Sequence, residues 1–530
     1  MNHPAALPAL VLVLLLQVSA PALDIRTYDP AKHDRFTGWP NAPVLNPTFL
    51  FDGTKFTGVG WGTTQGHKQY TMITPRHFVC AGHSPAPLAA PNNVIRFLGS
   101  DGVTVDRTVV SLTPITADTG GNSDLTIGTL DQPVPATVQP LPYLNLTTEA
   151  EYVGKPIMVF GFSVKAGKGT IASLSTFDFD TSTPNGATRT FTFNYSNVGL
   201  NLSGDDCHFF TGGGDSGSPS FVLQGTQPAL VGIHGLVASI GNTYANTDTM
   251  VPHYTAKVND VLAPSGYRLR PAIYTPTTLA FSPSLALPPY LDAGTAASLA
   301  FTVKNTGPAV AGNLSITLSF PPAMAPTGVS AAGCVVEALG DGQWSIRKPS
   351  AAAGEEIAVT SSWSTVPALA EITASVLLES DSASSSTYSI TLPIAQSYAS
   401  WAQGLAQPGQ NDDPDGDGLE NILEYAFGSP ALSGSTTLPD GRPLRPVLQC
   451  TGSTVTFSYP ERKRADLLGI SYQIETSEVM DSPQWSTGLP AGAVSTAVEF
   501  QPPVPGFVKR VVTWSTPWFT CGARVRVTGP

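Results

Sequence analysis

Residues 212–219 read Gly-Gly-Gly-Asp-Ser-Gly-Ser-Pro, the tightest local constraint anywhere in the chain. Glycine reaches backbone angles that side chains forbid, so this run predicts a tight turn containing Ser216. Such a turn can aim the backbone amides of Gly214 and Ser216 at one point, the geometry needed to hold a developing oxyanion. Gly-rich turns with a serine are common and usually structural. The meaning of this one depends on whether a base and an orienting acid stand elsewhere.

Two upstream segments supply them. Thr71-Met-Ile-Thr-Pro-Arg-His-Phe-Val-Cys-Ala-Gly-His83 reads as an apolar strand, a short turn, and a histidine behind two small residues. Gly121-Asn-Ser-Asp124-Leu-Thr-Ile-Gly-Thr-Leu places an aspartate at the opening of a strand. The order His83, Asp124, Ser216 resembles that of the trypsin-like (chymotrypsin-fold) serine peptidases, over roughly residues 45–262. The resemblance implies the following roles. Ser216 Oγ attacks a peptide carbonyl, His83 takes and returns the proton, and Asp124 holds the imidazole tautomer. The amides of Gly214 and Ser216 form the oxyanion hole.

His77 competes for the base. In the family pattern, however, Ile73-Thr74 and Val79-Cys80-Ala81-Gly82-His83 fill the strand and histidine slots, which leaves His77 in the connecting turn. Asp118 and Asp131 compete for the acid, yet only Asp124 lies between Asn-Ser and the strand Leu125–Leu130. The chain departs from the family at several points. Ser84 stands where a cysteine usually follows the histidine, and Gly212 occupies the slot of the disulfide beside the serine loop. No Ile-Val-Gly-Gly-like sequence marks an activation cleavage, so the sequence gives no ground for pairing a freed amino terminus with Asp215. Gly235 replaces a serine that supports the triad aspartate in many members, so Asp124 must be oriented by other groups.

Specificity follows from the same resemblance. Tryptic cleavage needs an acid six residues before the serine, and Phe210 stands there. Substrate is expected to pair with Leu230–Val237, Val237 included. His234 in Gly-Ile-His, with Thr211 ahead of the serine, resembles the acidic-side-chain site of glutamyl endopeptidases. An imidazole and a hydroxyl suit a carboxylate. The alternative is that His234 is a satisfied core histidine.

At 530 residues the chain exceeds one core. Charged residues are only 12%, beside 50 glycines and 48 prolines, a composition suited to short strands and turns. The expected fold class is therefore all-β: a double β-barrel peptidase domain, then β-sandwich domains, with one short helical calcium loop between them. The apolar run Ala5–Ala20 followed by Pro21-Ala22 reads as a signal peptide over residues 1–22, cleaved after Ala20 or Ala22. Secretion is the expected localisation. No later stretch suggests a membrane anchor, and a net charge of −12 argues against nucleic-acid partners. Five cysteines leave at least one unpaired. Cys80 could pair with Cys207, and Cys450 with Cys521, while Cys334 stands apart.

The remaining boundaries follow composition: peptidase 23–268, an immunoglobulin-like sandwich 269–395, a calcium loop and helix 396–432, and a C-terminal sandwich 433–530. Asp413-Pro-Asp-Gly-Asp-Gly-Leu-Glu-Asn-Ile-Leu-Glu424 fits a twelve-residue Ca2+ loop. Asp413, Asp415 and Asp417 take the first ligand positions, Leu419 offers a carbonyl, Asn421 follows, and Glu424 closes the set. The loop resembles those of dockerins and thrombospondin type 3 repeats, and the resemblance implies a structural ion. A protein or peptide substrate is the expected partner, and the C-terminal modules are the expected place for any cell-surface ligand. The rival reading is a catalytically silent surface binding or adhesion protein on a peptidase fold.

Overall fold

The computed structural model describes residues 23–530, apart from 65–67, 178–185, 198–203, 210–213, 241–242, 284–288, 370, 434–444, 480–482, 502–503, 505 and 517–521. The proposed signal peptide, Phe210, Thr211 and Cys521 therefore lie outside the described residues. The chain divides into two compact units. One runs to Pro276, and the other covers Thr277–Pro530 apart from Lys348–Ser350.

The first unit begins with β1 (Leu23–Ile25). Six antiparallel strands then close a barrel: β2 (Val59–Gly62), β3 (Gln69–Met72), β4 (His77–Cys80), β5 (Val94–Leu98), β6 (Thr104–Thr116) and β7 (Asn122–Leu130). Tyr70, Met72, Phe78, Ile95, Phe97 and Leu130 fill it. Close packing requires glycine at one point. Gly128 faces Phe78 across β4 and β7, and a Cβ there would lie 2.0 Å from the Phe78 ring.

A second barrel closes from β8 (Pro156–Phe160), β9 (Ala166–Phe177), β10 (Thr188–Asn197), β12 (Pro219–Gln224), β13 (Gln227–Ile240) and β14 (Thr243–Met250). Between β10 and β12, the short β11 (Cys207–Phe209) pairs with β1, Leu23 opposite Phe209 and Ile25 opposite Cys207. Ile157, Val159, Ile171, Phe191, Phe193 and Val231 form this barrel's core. A third cluster joins the two barrels, with Val79 and Ile127 from the first meeting Phe160, Phe221 and Leu230 from the second. Helix α1 (Thr255–Leu262) seals it with Val258 and Leu262. The expected all-β double barrel is thus the observed architecture.

One expectation fails. Cys80 and Cys207 are not bridged to each other. They belong to the cores of different barrels. The Cys80 Sγ–H points to the Thr126 carbonyl at 3.7 Å, and the Cys207 Sγ–H to that of Lys168 at 3.3 Å. Cys450, the other bridging candidate, is exposed.

In the second unit, Leu279–Pro283, Ala297–Asn305, Glu356–Trp363 and Gly328–Ala331 form a four-stranded sheet, and a six-stranded sheet includes Ala311–Ser319, Gln343–Ala351, Glu371–Glu379 and Ser386–Ala395. Strict alternation of buried and exposed residues along Glu371–Glu379 is the period of a strand with one covered face. Both sheets contribute to one core around Phe301, Ile316, Val359 and Val376. Helix α2 (Asn421–Phe427) follows, and Gly428 ends it in the left-handed conformation with φ of 84°. Two smaller sheets of four and three strands complete the chain. Among the described residues no helix is long and apolar enough to cross a membrane.

Candidate active site and candidate metal centre

His83 lies just past β4, and Asp124 near the start of β7. Cys80 and Thr126 face each other in this strand pair, so the chain's next turn brings residues 82–83 over Asp124. The small residue at 82 matters here, since a Cβ on Gly82 would sit 3.3 Å from the Asp124 carboxylate. Asp124 Oδ1 accepts the His83 backbone N–H at 2.7 Å. His83 Nδ1 lies 2.9 and 3.0 Å from the two carboxylate oxygens. On the other side of the ring, Nε2 lies 2.8 Å from Ser216 Oγ. The Asp124 side chain is 1% exposed and that of His83 35%, so the acid is dry and the base is reachable.

Ser216 comes from the other barrel. Its turn is held by Ser218 N–H to Asp215 O and Gly217 N–H to His234 O, both 2.8 Å. Gly214 and Gly217 have φ of 137° and 86°, values that favour glycine. A Cβ on Gly217 would lie 3.0 Å from the Ala81 backbone nitrogen. The serine turn therefore packs directly on the segment carrying His83. Gly214 is part of this turn, while the residues before it, 210–213, lie outside the described set.

Sequence reasoning missed the groups that hold Asp124 in place of the absent serine at 235. Asp124 N–H donates to Thr188 Oγ1 at 2.9 Å, and Thr249 Oγ1 donates to the Asp124 carbonyl at 3.4 Å. Both threonines come from the second barrel, and no local pattern announces them. The rival residues sit elsewhere. His77 is buried, with Nδ1 at 2.7 Å from Thr74 Oγ1 and Nε2 at 3.3 Å from Ser265 Oγ. Asp131 accepts the Thr108 N–H, and Asp118 pairs with His253 and Lys257.

Asp215 is 1% exposed. Its Oδ1 accepts the Phe162 N–H, while its Oδ2 is buried with no hydrogen-bond partner among the described residues. Burial pushes its carboxyl up to about 6, with the nearby His234 opposing. Leu23 is its neighbour, for a Cβ on Gly161 would meet Leu23 Cβ at 2.5 Å and Asp215 Oδ1 at 2.8 Å. His234 is 6% exposed, with Nδ1 3.3 Å from Asp248 Oδ1. Val237, farther along β13, packs partly buried against the second-barrel core.

In the second unit, one carboxylate oxygen from each of Asp413, Asp415 and Asp417 lies within 4.8 Å of the others. Backbone N–H groups shape the loop: Gly416 and Gly418 donate to the two Asp413 oxygens at 2.9 Å, and Leu419 donates to Asp417 at 2.8 Å. Asn421 is buried and spends its Nδ2 on the Gln407 and Gly409 carbonyls, both at 2.8 Å. Among the described residues, Asn421 Oδ1, Asp415 Oδ2 and both oxygens of fully buried Glu424 have no hydrogen-bond partner. Burial, and then Asp415, Asp417 and Asp413, push the Glu424 carboxyl up to about 7. Buried acceptors without donors are costly. A hard divalent cation satisfies such a set, so the residues fit calcium.

No family model and no curated protein matches the chain. Among solved structures, the secreted serine protease VesC from Vibrio cholerae aligns at 11% identity over 90% of this chain and 97% of its own, with a TM-score of 0.27. Kallikrein-related peptidase 10 in complex with Zn2+ aligns at 17% identity over 39% of this chain and 96% of its own, TM-score 0.28. The scabies mite inactivated protease paralogue S-D1 aligns at 14% over 39% and 93%, TM-score 0.28. Likenesses this slight carry no weight alone. The strand topology does: the first unit has the paired six-stranded barrels of the trypsin-like serine peptidase fold.

Proposed function

We propose that this chain is a secreted serine endopeptidase. The observation that carries the reading is His83 held between the Asp124 carboxylate and Ser216 Oγ at hydrogen-bond distance on both sides. In the reaction, Nε2 takes the serine proton as Oγ adds to the peptide carbonyl. Asp124 keeps the other ring proton on Nδ1 and stabilises the imidazolium, which then protonates the leaving amine. The Gly214 and Ser216 amides receive the oxyanion, a contribution of roughly 3–4 kcal/mol per donor. Water repeats the sequence on the acyl-enzyme. His234 supports a preference for an acidic residue before the scissile bond.

Export supplies an activation route in this reading. Removal of residues 1–22 frees an amine at Leu23, whose side chain lies with Asp215 Oδ1 against Gly161. Ionic pairing there steadies the serine turn. Asp413, Asp415, Asp417, Asn421, Glu424 and the Leu419 carbonyl would hold Ca2+, which supplies the positive charge their buried oxygens lack and braces the loop.

The test is labelling of the mature protein by a fluorophosphonate probe, beside Ser216→Ala and His83→Ala. Labelling of the parent alone is expected. A parent that stays unlabelled, with Leu23 as its first residue, overturns the enzymatic reading in favour of a silent binding protein.

A further inference from the structure

A half-buried lysine stands against the histidine segment without a carboxylate. Lys68 immediately precedes β3, and its backbone is fixed. Gly62 N–H donates to Lys68 O at 2.9 Å, and the next residue, Gln69, is 0% exposed and pairs with Trp61. Strand β3 runs antiparallel to β4, with Thr71 opposite Val79 and Met72 opposite Phe78. Continuing that register carries Lys68 alongside residue 82, just before His83. Its ammonium donates to Ser84 Oγ, on the residue after that histidine. Lys68 and Ser84 are both half-buried.

An ammonium carries three donors and a full positive charge. Ser84 Oγ takes one donor and brings no charge. Among the described residues no carboxylate pairs with Lys68. Burial lowers the lysine, and the group that opposes this is Cys80 Sγ. Burial pushes that thiol up to about 12, so near neutral pH it is uncharged and no counter-ion. A partly dry cation without a counter-charge is costly until a partner arrives.

The reaction brings a partner to this place. The His83 imidazolium protonates the leaving amine through Nε2, so that nitrogen must come within hydrogen-bond reach of the ring. The residue after the scissile bond therefore passes over the segment His83–Ser84, where Lys68 is held. A carboxylate on that residue supplies both the acceptor and the charge that the ammonium lacks.

We propose that Lys68, steadied by Ser84, is a specificity-determining residue that recognises a carboxylate on the residue following the scissile bond. This rests on the serine-peptidase reading, and it is independent of what precedes the bond. The carboxylate is an acidic side chain when the bond is internal, or the chain terminus when a single residue is released.

The experiment compares the mature full chain with Lys68→Met, Lys68→Arg and Ser84→Ala. One pair of peptides, built on a sequence the parent cuts, differs only in Glu or Gln after the cleaved bond. A second pair ends at that residue as free acid or amide. A peptidyl ester, whose alcohol carries no such residue, is the reference. The parent is expected to favour the carboxylate in one pair or both by about tenfold in kcat/KM, between a surface ion pair and a buried hydrogen bond to a charged group. Lys68→Met should abolish that ratio, and Lys68→Arg should restore most of it. Ser84→Ala should lower it by less, and it carries the test if Lys68→Met does not fold. A parent that cuts the peptides but is indifferent to both carboxylates overturns the proposal and leaves the peptidase reading standing. So does a Lys68→Met variant that keeps the ratio, or one that loses equally on peptides and ester, which marks a brace for His83 alone. A parent that cleaves neither ester nor peptide overturns the serine-peptidase reading, and the proposal with it.

Discussion

Replacing Glu424 by Gln should stabilise the second unit without calcium and weaken its response to calcium. Glu424 is fully buried, its two oxygens have no donor among the described residues, and three aspartates crowd it. Its carboxyl is raised from 4.5 to about 7. A raised acid is penalised when ionised, so the cost is fully present above about pH 7. It fades as pH falls toward the unfolded value near 4.5. At about 1.4 kcal/mol per pH unit, that interval corresponds to on the order of 3 kcal/mol. Glutamine removes the charge, keeps the shape and brings an N–H donor to a site full of acceptors. At pH 8 in a chelator, the calorimetric transition of the second unit should rise by roughly 6–12 °C. In the parent, saturating Ca2+ should raise the same transition, by about 4 kcal/mol at a thousandfold excess over the dissociation constant. The variant should lose most of that rise, because the charged closing ligand is gone. Opposite signs in the two conditions are the signature. A variant that gains as much from Ca2+ as the parent, or melts lower in chelator, would refute the reasoning.

Three further outcomes follow from the first unit. Asp124→Asn keeps the shape but favours the wrong imidazole tautomer, and kcat should fall roughly 10⁴-fold with KM little changed in steady-state kinetics. Thr188→Val leaves the buried Asp124 N–H without its acceptor. It should cost about 1–3 kcal/mol in the first unit's unfolding and lower kcat as the acid loosens; unchanged kcat would separate Thr188 from the proposed triad. Gly128→Ala forces a methyl group into the Phe78 ring and should destabilise the first unit by roughly 1–3 kcal/mol, leaving the second unit's calorimetric transition in place.

Much of this protein was legible one segment at a time. Glycines around Ser216, a histidine behind Ala81-Gly82 and an aspartate opening a strand each carry a local signal, because turn and strand chemistry is local. The same holds for the alternation that predicts strands and for the aspartates at every second position from 413 to 417. Tertiary structure decided which of these segments meet. Hydrophobic periodicity says that a strand has a buried face, but not which strand lies across from it. Cys80 and Cys207 were therefore candidates for a bridge until their barrels proved separate. For the same reason Thr188 and Thr249 could not be read as supports of Asp124, nor Asp248 as a partner of His234. Those contacts join residues distant along the chain, and closure of the two barrels creates them. The sequence by itself named the candidate residues and the all-β class. Only barrel closure decided their distances, and it is distance that turns a serine, a histidine and an aspartate into one hydrogen-bonded chain.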